Sequence, residues 1–245
     1  MLDYNHTVTP AQRLGAMVDN ALQDADAKAT RRNYLGASRL GVACERALQY
    51  EYAQAPVDPE QAFSGQLLRI FRRGHIIEDC MVEWLRLAGF DLRTRDRRGE
   101  PFGFSVLDGQ LQGHVDGVFV GGPEGFGYPC LWENKCLNAK AWRELAKHGL
   151  AVAKPVYAVQ VAVYQAYLQL HEQPALFTAV NADTMALYTE TVPFDGALAQ
   201  RMSDRAVKVI TATTAGELLP RSFTDPTHVE CRLCAWQARC WRNPT

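Results

Sequence analysis

The sequence has no long apolar run, no excess of charge of one sign and no repeated segment. It contains no stretch of about 18 uninterrupted apolar residues, so we expect no membrane span. Its 26 lysines and arginines nearly balance its 27 acidic residues, which excludes a chain that is basic throughout and binds nucleic acid by net charge alone. The first residues, MLDYNHTVTP, carry no basic and then apolar signal, so we expect a cytoplasmic protein.

Disulfide bonds are not expected either, although the chain has seven cysteines. A cytosolic chain rarely builds a disulfide framework, because the compartment keeps thiols reduced. The cysteines are unevenly distributed: Cys231, Cys234 and Cys240 lie within the last fifteen residues, and the others, Cys44, Cys80, Cys130 and Cys136, are scattered.

The order of predicted elements indicates an α/β fold with a mixed central sheet flanked by helices. The chain of 245 residues is 47% hydrophobic, enough for one sizeable core with an appended subdomain. Capping and breaking residues predict helices over 10–27, 38–52, 64–88, 139–148, 155–170 and 195–211. Alternating patterns, with a turn at Asp108–Gly109, predict strands over 102–107, 110–120, 130–137, 175–181 and 185–192.

Charged residues interrupt three of the predicted apolar surfaces. Glu133 and Lys135 share one face of the strand that reads CLWENKCL, because side chains alternate along a strand. Asp116 can lie beside Glu133 if strand 110–120 is the neighbour. Glu78 falls on the apolar stripe of helix 64–88, where an unpaired charge would be costly.

Three carboxylates near one lysine predict a site for Mg²⁺ or Mn²⁺, which bind oxygen ligands and would offset the repulsion among the acids. A structural interpretation exists for each residue: Glu133 and Lys135 could form an ion pair, and Asp116 could form a turn beside Gly117. For any one residue alone that interpretation is favoured. Together, in this order, the residues favour the cation site.

The segments GHVDGVF and LWENKC resemble the Asp and Glu-x-Lys motifs of the PD-(D/E)XK nuclease superfamily. The resemblance implies a restriction-endonuclease-like core in which Asp116, Glu133 and Lys135 are catalytic. RGHIIED resembles the preceding acidic motif of the family, which implies that Glu78 is a further metal ligand. The resemblance to the superfamily also implies Mg²⁺- or Mn²⁺-dependent hydrolysis of phosphodiester bonds in DNA.

The helix KPVYAVQVAVYQAYL resembles the Gln-x-x-x-Tyr motif of the RecB-like branch. The resemblance implies that Gln160 and Tyr164 contact DNA near the active site, whereas Tyr157 can also be an ordinary core aromatic. The basic segment 135–154, which includes Lys140, would follow the backbone of the DNA strand.

The cysteines are similar to those of the iron–sulfur RecB-like exonucleases, including the CRISPR-associated RecB-like and AddB-type nucleases. That likeness implies a four-iron–four-sulfur cluster on one upstream and three C-terminal cysteines, here Cys44, Cys231, Cys234 and Cys240. A four-cysteine zinc site would use the same residue types, so spacing alone leaves zinc open.

The sequence departs from the family pattern at two positions. Asp116 follows His-Val rather than Pro, and Glu78 stands where RecB-like members often have His. The second change resembles the phage-type branch, near lambda exonuclease and the YqaJ-like viral recombinases. His75 or His114 could also contribute a ligand.

These observations predict three regions: a helical region over 1–58 with Cys44, a nuclease core over 59–215, and a Cys-rich cluster-binding tail over 216–245. The function they favour is a bacterial or phage-encoded DNA exonuclease, with DNA as partner and no membrane association. A homo-oligomer or a recombination or repair partner protein stays open. The alternatives are a catalytically silent DNA-binding or partner module on the same fold, and a thiol enzyme built on Cys136, which no Cys–His signature supports.

Overall fold

The computed structural model describes residues 9–242, in which eight helices and eight strands form two sheets with helices packed against them. The helices are α1 Pro10–Lys28, α2 Glu45–Tyr52, α3 Gly65–Leu87, α4 Ala139–Ala153, α5 Pro155–Tyr167, α6 Gly196–Thr214, α7 Val229–Arg232 and α8 Gln237–Arg242. The strands are β1 Leu35–Gly36, β2 Asp91–Arg93, β3 Gly103–Val106, β4 Leu111–His114, β5 Gly117–Gly121, β6 Cys130–Leu137, β7 Ala175–Asn181 and β8 Leu187–Val192.

The predicted α/β class is confirmed. The large sheet has the strand order β2-β5-β6-β7-β8, in which β6 and β7 are parallel and the other pairs are antiparallel. The small sheet has the order β1-β4-β3. A parallel pair needs a crossover connection, and α4 and α5 together provide it between β6 and β7.

One predicted strand is wrong in a way that matters for the site. The segment 110–120 is not continuous: β4 belongs to the small sheet and β5 to the large one. The amide of Val115 still donates to the carbonyl of Phe102 at 3.0 Å, on the small-sheet side. At Gly117 the chain joins the large sheet, so close to Leu92 that a Cβ would lie 2.7 Å from its Cδ1. The chain therefore changes sheets at Asp116.

This change of sheet leaves part of β6 without a strand neighbour on one side. β5 pairs with residues 130–132 of β6, whereas β7 pairs with residues 132–137 on the other side. The edge of β6 beyond Trp132 consequently faces the point where the chain passes between the sheets. Glu133 and Lys135 lie on this open stretch.

Each face of β6 packs on a different helix. Leu131 and Leu137 join the larger core with residues of α5, including Val161. Trp132 joins a second cluster with Ile77 and Met81 of α3. The strand is thus fixed between two helices, and all its residues except the partly exposed Lys135 and Cys136 are buried.

The caps of two predicted helices are confirmed. Thr9 and Gln12 form a capping box at the start of α1. The side chain of Ser64 accepts from the amide of Leu67 at the start of α3, and Gly89, with a φ of 91°, follows its end.

The predicted helix from Ser38 to Tyr52 is wrong in its first half. Ser38 lies in a short 3₁₀ turn over Ala37–Arg39, and α2 begins only at Glu45, with Cys44 at its N-cap. Between the two, Gly41 packs so closely on Val156 that a Cβ would lie 2.7 Å from the Cα of that residue. The chain turns at this contact instead of continuing as a helix.

Other elements differ in extent. The helix predicted over 139–148 continues to Ala153 as α4, through a kink at Gly149 with a φ of 75°. Strands β1 and β2 were not predicted, and the tail, expected to be irregular, contains α7 and α8. Between residues 9 and 242, none of the helices combines the length and the apolar character needed to cross a bilayer.

Candidate active site

Strand pairing brings Asp116 and Glu133 close together. The antiparallel β5–β6 ladder ends at the pair Gly117 and Trp132, and Asp116 and Glu133 are the next residues of the two segments beyond that pair. Lys135 lies on the same face of β6. Its ammonium contacts Glu133 Oε1 and is 3.7 Å from Asp116 Oδ2. The arrangement predicted from alternation is therefore present.

Asp116 is held by the backbone of β6. The amide of Asn134 donates to Asp116 Oδ2 at 2.7 Å. The side chain of Asn134 points to the other face, where its Oδ1 accepts from the Thr178 hydroxyl at 2.8 Å. Thr178 in turn accepts from the Trp132 indole at 3.0 Å. These bonds fix the strand that carries Glu133 and Lys135.

Glu133 is completely buried and has one unpartnered oxygen. Its Oε1 accepts from Lys135 Nζ and, at 2.5 Å, from Gln160 Nε2. Its Oε2 has no hydrogen-bond partner among residues 9–242. Burial, together with the charge of Asp116, raises the pKa of Glu133 to about 8, although Lys135 acts in the opposite direction.

Glu78 reaches the same site from α3. Burial and the charge of Asp116 raise the pKa of Glu78 to about 7, and Lys135 partly offsets them. Burial alone would lower the pKa of Lys135, but the charges of Glu133 and Asp116 outweigh it and raise that pKa. Three carboxyl groups and one ammonium thus share one electrostatic environment.

The site opens into a cavity of about 810 Å³ between α3 and the segment that changes sheets. Glu78 and Asp116 line it, together with Arg95 from the loop after β2. Both histidines considered as further ligands line it as well. His75 lies 3.9 Å from Glu78 Oε2, measured from Nδ1, and His114 is exposed.

The family model of the PD-(D/E)XK nuclease superfamily matches residues 3–241. The chain belongs to this superfamily. The resemblance read from GHVDGVF and LWENKC is confirmed at this level.

One solved structure of low identity shares the fold. LHK-Exo in complex with dAMP aligns with a TM-score of 0.50 at 14% identity, over 76% of this chain and 90% of that chain. The alkaline exonuclease LHK-Exo from Laribacter hongkongensis also aligns with a TM-score of 0.49 at 15% identity, over 80% and 93% of the two chains. The structure of SSO0001 aligns with a TM-score of 0.49 at 15% identity, over 95% of this chain and 98% of that chain. No curated protein sequence matches the chain.

Gln160 and Tyr164, the residues of α5 that resemble the Gln-x-x-x-Tyr motif, are both buried. Gln160 is 6% exposed and bonds Glu133, whereas Tyr164 is 2% exposed. Tyr164 lies against Gly113, where a Cβ would come 2.6 Å from its Cε1, and meets Phe104 edge-on with ring centroids 5.9 Å apart. Burial raises the pKa of Tyr164. Contact of either residue with DNA stays a prediction, and the contacts present are with the site and the core.

Lys140 lies apart from the carboxylates. It is exposed in the first turn of α4 and lines a surface groove of about 460 Å³ with Lys154 and His148. The groove is thus bordered by two of the lysines of the basic segment.

Sequence patterns did not identify two contacts of the site. The Lys135 ammonium lies 5.4 Å from the ring centroid of Tyr157, within range of a cation–π interaction. The bond between Gln160 and Glu133 was also missed, although Gln160 itself was found. A helix residue's position over a sheet depends on how the helix is docked, which spacing along the chain does not give.

The four cysteines predicted to bind one cluster lie in one region. Cys44 is the N-cap of α2. Burial chiefly raises the pKa values of Cys231 and Cys234, and the charges of Cys44 and Cys240 contribute to both. Arg46 Nη1 donates to Cys240 Sγ at 3.7 Å.

Neither set of residues forms a ready-made metal site among residues 9–242. Within residues 9–242, no three or more Cys, His, Asp or Glu side chains are arranged as they stand to hold a metal ion. At the carboxylates, the Lys135 ammonium contacts Glu133 Oε1 and lies 3.7 Å from Asp116 Oδ2.

Cys130 and Cys136 are packed as small apolar side chains. Cys130 is buried in the second core cluster, and burial raises its pKa to about 11. Burial also raises the pKa of Cys136, against the opposing effect of Arg73. A thiol with a raised pKa is a poor nucleophile, which does not favour the thiol-enzyme alternative.

Proposed function

We propose that this superfamily member is a Mg²⁺- or Mn²⁺-dependent deoxyribonuclease, and specifically an exonuclease. Asp116, Glu133 and Glu78 would hold the ion, and Lys135 would act beside it on the phosphate. The observation that carries the proposal is the Glu133 carboxyl, completely buried beside Asp116 with Oε2 left without a partner. A buried carboxylate oxygen without a donor is costly unless a cation completes its environment.

The residues present suit a hard divalent cation. The raised pKa values of Glu78, to about 7, and Glu133, to about 8, both result from burial and from neighbouring carboxylates. A divalent ion would relieve that repulsion and keep the groups ionised. Its ligands would all be oxygens, the donors that Mg²⁺ and Mn²⁺ prefer.

Lys135 is placed to act on a phosphate group. Its side chain is 20% exposed, at the boundary between the buried carboxylates and solvent. Glu133 and Asp116 keep it protonated by raising its pKa. The ammonium would stabilise the negative charge that develops on phosphate oxygens as the P–O bond breaks. A bound divalent cation would add Lewis-acid stabilisation of the same charge.

DNA as the substrate and exonuclease as the mode follow the resemblance to the RecB-like exonucleases. LHK-Exo, which shares the fold, is an alkaline exonuclease solved in complex with dAMP, and that supports the choice. Lys140 and Lys154 border a groove on α4, where they could contact the phosphates of a strand leaving the site.

We also propose that Cys44, Cys231, Cys234 and Cys240 bind a structural four-iron–four-sulfur cluster. Supporting this, the charges of Cys44 and Cys240 add to the effect of burial in raising the pKa values of Cys231 and Cys234, and Arg46 donates to the sulfur of Cys240. A guanidinium beside a thiolate offsets the negative charge that four such ligands bring together. Zinc on the same four thiols is the alternative.

Digestion of end-labelled DNA tests the nuclease proposal. Single- and double-stranded oligonucleotides would be incubated with protein in Mg²⁺, in Mn²⁺ and in EDTA. We expect stepwise shortening from an end with either ion and none in EDTA, and no shortening with Lys135→Ala. Binding of DNA without cleavage under all three conditions would contradict the proposal and favour the silent DNA-binding module.

A further inference from the structure

We propose that Gln160 is a positioning residue for Glu133: it fixes the orientation of the carboxylate, and so the position of the oxygen that is available to a divalent cation. This inference rests on the cation site proposed above. It differs from contact with DNA, the role that the sequence resemblance implies for this glutamine.

The two donors to Glu133 converge on one oxygen. Lys135 Nζ and Gln160 Nε2 both bond Oε1, and Oε2 receives no bond from residues 9–242. A rotation of the carboxylate away from this orientation would weaken both bonds. The two donors therefore fix the orientation of the carboxylate, and with it the position of the oxygen that remains free, here Oε2.

The two donors differ in how firmly they are fixed. Lys135 is 20% exposed and shares its ammonium between Glu133 and Asp116. Gln160 is 6% exposed and lies in the middle of α5, among the core residues Val159 and Val161. When the ammonium moves toward a phosphate, Gln160 is the donor that stays on Oε1.

Asp116 is also positioned by a fixed hydrogen-bond donor, which in its case is a backbone amide. Its Oδ2 accepts from the Asn134 amide, which is part of the rigid strand β6. Each of the two carboxylates thus has one fixed neutral donor, a backbone amide for Asp116 and the Gln160 side chain for Glu133. Fixed donors behind metal ligands commonly strengthen binding, because the ligand need not be ordered when the ion enters.

The same helix supplies a matched control. Gln165 is also completely buried, and its Nε2 donates to the carbonyl of Gln173 at 3.2 Å. Its bonds are to backbone carbonyls beyond the end of α5, not to the carboxylates. Gln160→Met and Gln165→Met therefore remove the same amide from the same helix, and only the first removes a bond to Glu133.

The experiment titrates Mn²⁺ into each purified, cluster-replete variant and follows free Mn²⁺ by electron paramagnetic resonance. We expect Gln160→Met to raise the Kd for Mn²⁺ by about 10–100-fold. Gln165→Met should lower the melting temperature and leave that Kd unchanged. Gln160→Asn, which keeps an amide but is one methylene too short, should behave as Gln160→Met does and serves if the methionine variant does not fold.

Affinity for a DNA oligonucleotide, measured in EDTA, separates positioning from contact with substrate. We expect Gln160→Met to bind DNA as the wild type does. A Gln160→Met protein that lost DNA affinity and kept its Mn²⁺ affinity would overturn the inference, as would a wild type that bound no Mn²⁺. If the Kd for Mn²⁺ rose as expected but the wild type cleaved no DNA, the role of Gln160 would stand and the nuclease proposal would fall.

Discussion

The carboxylate site and the cysteine region both gather residues from distant parts of the chain, but they do so by different means. Strand pairing brings two of the carboxylates together: Asp116 and Glu133 directly follow the last pair of the β5–β6 ladder, Gly117 and Trp132, and alternation adds Lys135. In the cysteine region, side chains of α2 form hydrogen bonds with the backbone of the tail, residues 216–242. Arg46 donates to the carbonyl of Leu219, and Gln49 accepts from the amide of the same residue at 2.8 Å.

The tail is anchored at a second point by Asp58. Its carboxylate accepts from the Ala238 amide at 2.6 Å, and its amide donates to the carbonyl of Ala235 at 2.8 Å. Trp236 bonds the carbonyl of Ala55 at 2.9 Å and packs on Tyr50, with ring centroids 6.0 Å apart. The carboxylate site is therefore held by the strands of one sheet, whereas the cysteine region is held by a few specific hydrogen bonds. Changes in the first should affect chemistry, and changes in the second should affect stability.

The largest effect should come from Lys135→Met. The variant removes the ammonium and keeps an unbranched side chain, so we expect the cleavage rate to fall by about 10²–10³-fold or more. The circular dichroism spectrum and melting temperature should stay close to those of the wild type. Near-normal cleavage by a folded Lys135→Met protein would remove the residue from the mechanism.

The contrasting change is Cys44→Ser, which should act on stability. If the cluster joins α2 to the tail, its free energy of binding is also free energy of folding. We expect anaerobically purified wild type to be brown, with about four irons per chain, and the variant to be bleached, less stable and cleaved in the tail by protease.

Cys80→Ser and Cys130→Ser are the controls for the cluster and should keep the colour. A colourless, stable wild type with one zinc per chain would contradict the iron–sulfur assignment but keep the metal link between α2 and the tail. Unchanged stability of Cys44→Ser would contradict the link itself.

Tyr164 tests whether a site motif can serve the core. Because its ring is buried between Phe104 and Gly113, we expect Tyr164→Ala to lower the free energy of unfolding by about 3–5 kcal/mol. Tyr164→Phe should lower the free energy of unfolding much less, and the affinity of this variant for DNA should equal that of the wild type. The opposite pattern, in which Tyr164→Ala keeps its stability and loses DNA affinity, would favour direct contact with substrate.

The smallest effect should be a pH dependence of the metal-free protein. Glu133 has its pKa raised from 4.5 to about 8, and Glu78 to about 7, so the folded chain retains protons that the unfolded chain has lost. The associated stability is complete below the unfolded pKa and is lost as pH rises through about 7–8.

The melting temperature in EDTA should therefore fall between about pH 5 and about pH 9, and Glu133→Gln should fall less over the same interval. Equal slopes for the two proteins would mean that the folded chain does not raise the pKa of Glu133.

Much of this site could be predicted because period-2 alternation and register act over short distances. Glu133 and Lys135 are two positions apart on one strand, and only the neighbour of that strand had to be guessed to place Asp116. The break at Asp116 could not be predicted, because the alternation of Leu111, Val115 and Phe119 is unbroken there. It depends on the packing of Gly117 against Leu92, a contact between segments that the local pattern does not encode.

Hydrogen bonds between a helix and the sheet beneath it also could not be predicted from the sequence. The bond from Gln160 to Glu133 requires the rotation and height of α5 over the sheet, which many distant core contacts set together. The same holds for the tail, where single bonds from Gln49 and Asp58 fix backbone that has little apolar periodicity of its own.

The most direct test of the central claim, that Glu133 and its neighbours form a cation site, is the melting temperature of wild type and Glu133→Gln during a Mn²⁺ titration. The account predicts that Mn²⁺ raises the melting temperature of the wild type, because an ion bound only to the folded state stabilises it. Above about pH 8, where the Glu133 carboxyl is ionised, Glu133→Gln should be at least as stable without metal, since one buried charge is gone, and it should gain little from Mn²⁺. An equal rise in both proteins, or no rise in the wild type, would contradict the claim.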